Sequence, residues 1–81
     1  MSSTRMTMLS QSEVTLTPRQ IQCLRWVMEG KSSTDIGTIL GLSPRTVDAY
    51  IADACARLGV RTRMQAVIVA TEKGLLPPSI P

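Results

Sequence analysis

This 81-residue chain contains no His, no Phe and only two Cys, so its chemistry has to come from arginines, aspartates, hydroxyls and the backbone. Cys23 and Cys55 stand far apart in the chain, with no metal-ligand spacing around them and no disulfide framework. Nothing in the chain supplies a general base, a nucleophile with a partner, or a metal site. No catalytic residue, metal or cofactor is therefore expected, and an enzyme is a remote reading. Between Arg45 and Arg63 stand Arg45, Thr46, Asp48, Tyr50, Asp53, Arg57, Arg61 and Arg63. Arginines and hydroxyls at this density suit the holding of phosphates, and a helix face between them suits the reading of a groove.

The element that positions these residues begins at Ser43-Pro44, an N-cap followed by a residue with no amide to orphan. Val47, Ile51, Ala54 and Leu58 then recur on one face of the predicted helix as its core stripe. Arg45, Asp48, Ala49, Ala52 and Ala56 fall on the opposite face, small enough to approach a groove floor closely. Thr46, Tyr50, Asp53 and Arg57 line one flank, where a phosphate strand would run. The same pattern fits any amphipathic helix with a polar outer face, so what precedes it matters. Ser32-Ser33-Thr34-Asp35 reads as a capping box opening a short helix with Ile36, Ile39 and Leu40. Gly41 supplies the left-handed residue that ends it, and Gly41-Leu42-Ser43 is a turn of fixed length. Two helices so joined are the outline of a helix-turn-helix, whose second helix enters a DNA major groove.

Residues 1–14 are rich in Ser, Thr and Met without helical or strand period, and read as a flexible tail or the remnant of a linker. Leu16-Thr17-Pro18-Arg19-Gln20-Ile21 combines an N-cap, Pro at the first position, a capping-box Gln and an apolar staple, so a helix starts at Pro18. Its apolar stripe is Cys23, Leu24, Val27 and Met28. Arg19, Gln22 and Arg25 are expected to face away, and Trp26 to pack in a core or hinge. After Gly59-Val60-Arg61, Thr62 and Gln65 form a further capping box opening a fourth helix to about Lys73. Ala66, Val67 and Ala70 suffice for its core face, which leaves Ile68 and Val69 on another side with Gln65 and Glu72. That second face is either marginal surface exposure or a self-association surface. Gly74 stops the helix, and residues 77–81 form a Pro-rich tail. The coarse reading is all-α: four helices and no strand over residues 15–76.

At this length the chain makes one small domain with a single modest core. The formal charge of +3 favours an anionic partner, as a mild hint. No run is long and apolar enough for a membrane span, and the first residues lack the apolar core of a secretory signal. A cytoplasmic location follows, with both thiols expected to be buried in helices and reduced.

The order of signals resembles a known family. Leu16-Thr17-Pro18-Arg19, Gly30-Lys31-Ser32-Ser33, Asp35-Ile36-Gly37, Ile39-Leu40-Gly41-Leu42-Ser43, Thr46-Val47 and Arg57-Leu58-Gly59-Val60-Arg61 are similar to the DNA-binding domain of LuxR-type transcription regulators. Cys23-Leu24-Arg25-Trp26 and Gly30-Lys31-Ser32 look closest to the quorum-sensing branch. The resemblance covers Leu16 to about Leu76. It implies a tetrahelical helix-turn-helix that dimerises through the last helix and binds two-fold symmetric promoter sites. On the family's pattern the base-reading positions are Asp48, Ala49 and Ala52, with phosphates met by Arg45, Thr46, Tyr50, Arg57, Arg61 and Arg63. The dimer face would comprise Gln65, Ile68, Val69 and Glu72. Where the family usually has Glu after its Thr-Pro-Arg start this chain has Gln20, and where it usually has His and Asn in the recognition helix this chain has Tyr50 and Asp53. None of the base-reading side chains makes the bidentate arginine–guanine contact, and Asp48 and Asp53 both oppose phosphate. The quorum-sensing branch normally carries an N-terminal domain for an acyl-homoserine lactone. A short Ser/Thr/Met tail builds no such pocket, so no small-molecule ligand is expected in this chain, whether it is an excised effector domain or a short stand-alone regulator.

Two functions compete. The leading one is a promoter-binding transcription regulator acting as a dimer on double-stranded DNA. The alternative is an interaction module that keeps the dimerising helix, binds DNA poorly and inhibits a full-length LuxR-type regulator by forming heterodimers.

Overall fold

The computed structural model describes residues 14–78. The expected tails, 1–14 and 77–81, lie outside the described residues except for Val14, Pro77 and Pro78. Four helices follow one another, α1 (Pro18–Met28), α2 (Ser33–Leu40), α3 (Pro44–Leu58) and α4 (Arg63–Glu72), with no strand among the described residues.

Each helix begins where its capping chemistry requires. Thr17 accepts from the amide of Gln20 while Gln20 reaches back to Thr17, and Ser32 with Asp35 and Thr62 with Gln65 do the same at α2 and α4. Ser43 caps α3 through the Thr46 amide, ahead of Pro44. Gly41 closes α2 at φ 73°, a conformation that places a Cβ against its own carbonyl in any other residue. α4 ends at Glu72, one residue short of the expected Lys73.

α3 is the hub, packing against each of the other three helices, while α1 and α4 also pack on each other. The core joins Cys23, Leu24 and Val27 of α1, Ile36 of α2, Val47, Ile51, Ala54 and Cys55 of α3, and Ala66, Val67 and Ala70 of α4. Leu58, expected in the α3 stripe, is half-buried on the rim of this core, as is Trp26. Met28 and Ile39, expected on apolar stripes, are exposed.

Arg25 departs most from expectation. It is buried instead of facing away. The chain after α4 folds back across α1, with Leu75 and Leu76 packed on the core, and covers the Arg25 stem. Its guanidinium pairs with Glu29 at 2.7 Å and donates to the Pro78 carbonyl at 2.8 Å, while Nε has no partner among the described residues. Helical periodicity sees only the helix's own faces and cannot show that a later segment will cover one of them.

Candidate nucleic-acid interface

Anchored on three sides, α3 turns one face to solvent. Arg45, Asp48, Ala49, Ala52, Asp53, Ala56 and Arg57 are all exposed, while Val47, Ile51, Ala54 and Cys55 are buried beneath them. The exposed alanines leave the helix backbone thin along this face, so a flat or grooved partner can approach it closely. The helix-turn-helix angle is locked at Gly37. A Cβ there would stand 2.4 Å from the Leu42 carbonyl oxygen, and the Gly37 carbonyl itself accepts from the Leu42 amide at 2.8 Å. Only glycine allows the turn to cross α2 this closely, a role that the sequence reading did not assign.

Polar residues on either side of the alanine strip form two clusters. On one side Asp48 pairs with Arg63 at 3.3 Å and accepts from the Ser33 hydroxyl. Asp48, Ala52, Ala56, Val60, Arg61 and Arg63 line a groove of about 400 Å³ beside α3, so that the arginines after the helix meet residues from its middle. On the other side Asp53 pairs with Arg57 at 3.0 Å and accepts from the Gln20 side-chain amide of α1. Arg57 also donates to the Thr15 carbonyl at 3.4 Å. The side chains of Arg45 and Arg61 carry no ion pair among the described residues. Thr46 is half-buried and accepts from the Ser43 hydroxyl at 2.9 Å, and Tyr50 is half-buried against the core.

This arrangement changes how Asp48 and Asp53 weigh on the interface. Read from the sequence, both present bare negative charge toward phosphate. In the folded chain each is neutralised by an arginine that the sequence reading assigned to the phosphate set. Exposed pairs of this kind contribute little to stability, of order 0–1 kcal/mol, so Arg57 is free to exchange partners at low cost, whereas Arg63 and Asp48 are joined through the Ser33 hydroxyl as well.

From the sequence Gln20 is only a capping residue and Ser33 has no contact on α3. Gln20 is 2% exposed and works twice: its Oε1 accepts from the Thr17 amide at 2.8 Å while its Nε2 donates to Asp53. A signal for this was present, since two of the residues that depart from the family's pattern, Gln20 and Asp53, are the two that meet.

On α4, Ile68 is 53% exposed and Met64 55%, with Val69 half-buried and Glu72 exposed beside them. Gln65 is occupied at the helix start, where its Oε1 accepts from the amides of Arg61 and Thr62. Burial pushes the thiols of Cys23 and Cys55 above their ordinary range, against the opposing pull of Arg19 and Arg63. Among the described residues no group of His, Cys, Asp or Glu is placed to hold a metal ion, and no helix is long and apolar enough to cross a membrane.

Comparison with known proteins places this architecture. Residues 14–70 match the family model for bacterial regulatory proteins of the luxR family. The transcriptional activator protein VanR of Vibrio anguillarum is 44% identical over 63 residues, which are 78% of this chain and 26% of VanR. The quorum sensing-dependent transcriptional regulator VjbR of Brucella abortus is 38% identical over 61 residues, 75% of this chain and 24% of VjbR. Among solved structures, that of the transcription factor GerE superposes with a TM-score of 0.73 at 31% identity, covering 76% of this chain and 92% of GerE. The chain thus spans about a quarter of the length of the curated relatives it matches and nearly the whole of GerE. On the four capped helices, the glycine-locked turn and these matches together, the chain belongs to the luxR family of bacterial regulatory proteins.

Proposed function

We propose that this domain binds promoter double-stranded DNA as the reading head of a transcription regulator. α3 lies in the major groove with Asp48, Ala49 and Ala52 toward the base edges. Arg45 and Arg61 hold phosphates from the outset, Arg57 is shared with Asp53, and Arg63 stays with Asp48. Thr46 adds a hydroxyl at the helix start, and Tyr50 belongs to the packing beneath the helix. The observation that carries this reading is the solvent face of α3. It is an alanine strip thin enough for a groove floor, flanked by arginines, on a helix braced by all three others. Thymine methyls suit the alanines, and a cytosine amine suits Asp48.

Two copies joining through Ile68 and Val69 of α4 would place two α3 helices on successive turns of the duplex. One helix pair buries well under the roughly 1,200 Å² of stable interfaces, so pairing occurs mainly on DNA. The same face would admit a longer relative in place of the second copy. The chain acts by binding, inside the cell, without a cofactor.

Fluorescence anisotropy on a random duplex, titrated with salt, tests the reading. With Arg45 and Arg61 alone on phosphates the slope of log K against log salt is about −2 per domain, and with Arg57 released as well it approaches about −3. Arg57→Ala should weaken binding about equally on all sequences. A slope near zero, or binding that does not depend on the α3 arginines, would leave the heterodimerising module as the better account.

A further inference from the structure

Asp48 differs from its neighbours on the outer face of α3 in being held from two other helices. Ser33, in the first turn of α2, donates its hydroxyl proton to Oδ1. Arg63, in the first turn of α4, donates through Nη2 to the same oxygen at 3.3 Å, and its Nη1 reaches the Ser33 hydroxyl at 3.4 Å. The carboxylate is therefore tied to α2 and α4 as well as carried by α3. Its other oxygen, Oδ2, receives no donor from the described residues, and the side chain is 57% exposed.

A carboxylate with one oxygen clamped and the other open is purely an acceptor. Two bases present a donor in the major groove, adenine through N6 and cytosine through N4. Adenine carries the N7 acceptor beside its amine, which repels a carboxylate, whereas cytosine shows the amine alone. The bound arginine cancels the charge that would otherwise be repelled by the flanking phosphates.

We propose that Ser33 and Arg63 are positioning residues that set Asp48 to read the exocyclic amine of a cytosine, so that each half-site carries a C·G pair at one defined position. This rests on α3 being the helix that enters the groove. Arg63 accordingly stays on Asp48 in the complex and is not a phosphate contact.

Selection of sites from a random duplex library, followed by anisotropy on the selected half-site and its single-base variants, tests this with the wild type, Ser33→Ala, Ser33→Thr and Asp48→Asn. The wild type should prefer cytosine at one position by about fivefold or more. Asp48→Asn should lose that preference and, by freeing Arg63 for a phosphate, steepen the salt slope by about one. Ser33→Ala should lose most of the cytosine preference with the salt slope and the thermal transition unchanged, since Ser32 and not Ser33 caps α2, and Ser33→Thr should restore it. The proposal is overturned if Asp48→Asn changes the slope but no base preference, or if Ser33→Ala leaves the cytosine preference intact. A wild-type domain that binds no duplex at all overturns the reading of α3 as well, whereas the first two results leave that reading standing.

Discussion

Replacing Gly37 by Ala sets two known effects against each other, and the structure decides the sign. In an exposed helix the change is favourable, because alanine is the better helix former by about 1 kcal/mol. Here the new methyl would meet the Leu42 carbonyl oxygen at 2.4 Å, the Leu42 carbonyl carbon at 3.4 Å and the Pro44 nitrogen at 3.5 Å. Ordinary contact begins near 3.4 Å, so the turn has to retreat by roughly 1 Å, and the obstructing atom is backbone and has no rotamer to escape into. Retreat is resisted because the Gly37 carbonyl holds the amides of both Gly41 and Leu42, which would lengthen together. Overpacking of this kind costs about 1–3 kcal/mol, and a backbone atom at 2.4 Å puts this site in the upper half of that range, which leaves a net loss of about 1–2 kcal/mol after the propensity gain. For a domain of this size that lowers the thermal midpoint by roughly 5–15 °C. Circular dichroism melts and urea titrations of the two proteins measure it. Gly41→Ala is the comparison, because there no atom lies within 4 Å and the cost is only the left-handed backbone at φ +73°, about 1 kcal/mol. DNA affinity should fall further in Gly37→Ala than stability alone explains, since a turn displaced by about 1 Å moves α3 against the rest of the domain. A Gly37→Ala domain at least as stable as the wild type would refute this, showing that the turn relaxes without cost.

Gln20→Glu should destabilise the domain by about 1–2 kcal/mol near neutral pH by facing Asp53 with a second carboxylate, a loss that grows as pH rises past the carboxylate range and recovers in Gln20→Glu with Asp53→Asn; urea midpoints across pH measure both. Ile68→Lys should leave the thermal transition unchanged and abolish cooperative filling of paired half-sites, and a variant that still fills both cooperatively places Ile68 outside any dimer contact. The buried thiols of Cys23 and Cys55 should react with a disulfide reagent only as fast as the domain opens. Their raised thiols cost stability only in alkali: unfolded cysteines ionise first, so these groups erode the fold as pH rises above the ordinary 9.0 and have no effect below it, a difference that a Cys23→Ala, Cys55→Ala variant should lack.

The sequence by itself determined the elements, because helix starts and stops are local chemistry. Thr17 with Gln20, Ser32 with Asp35, Ser43 before Pro44, and Thr62 with Gln65 each satisfy orphan amides within one turn, and Gly41 is required wherever the chain must adopt a left-handed residue. The α3 core stripe and the alanine face opposite it follow from a period of 3.6 residues and were equally legible. Tertiary structure alone decided which polar side chains meet. Asp48 is held by residues 15 positions away in either direction, and Asp53 by Gln20, 33 positions away. Such pairings depend on how α1, α2 and α4 settle around α3, and no local period records them. The meeting of Arg25 with the Pro78 carbonyl is of the same kind, as is the contact that makes Gly37 necessary, since the obstructing carbonyl belongs to a turn whose path is set only once α3 has packed. Charge counted along the chain therefore makes the face of α3 look hostile to DNA, whereas charge counted in space leaves both aspartates paired and Arg45 and Arg61 free of ion pairs among the described residues.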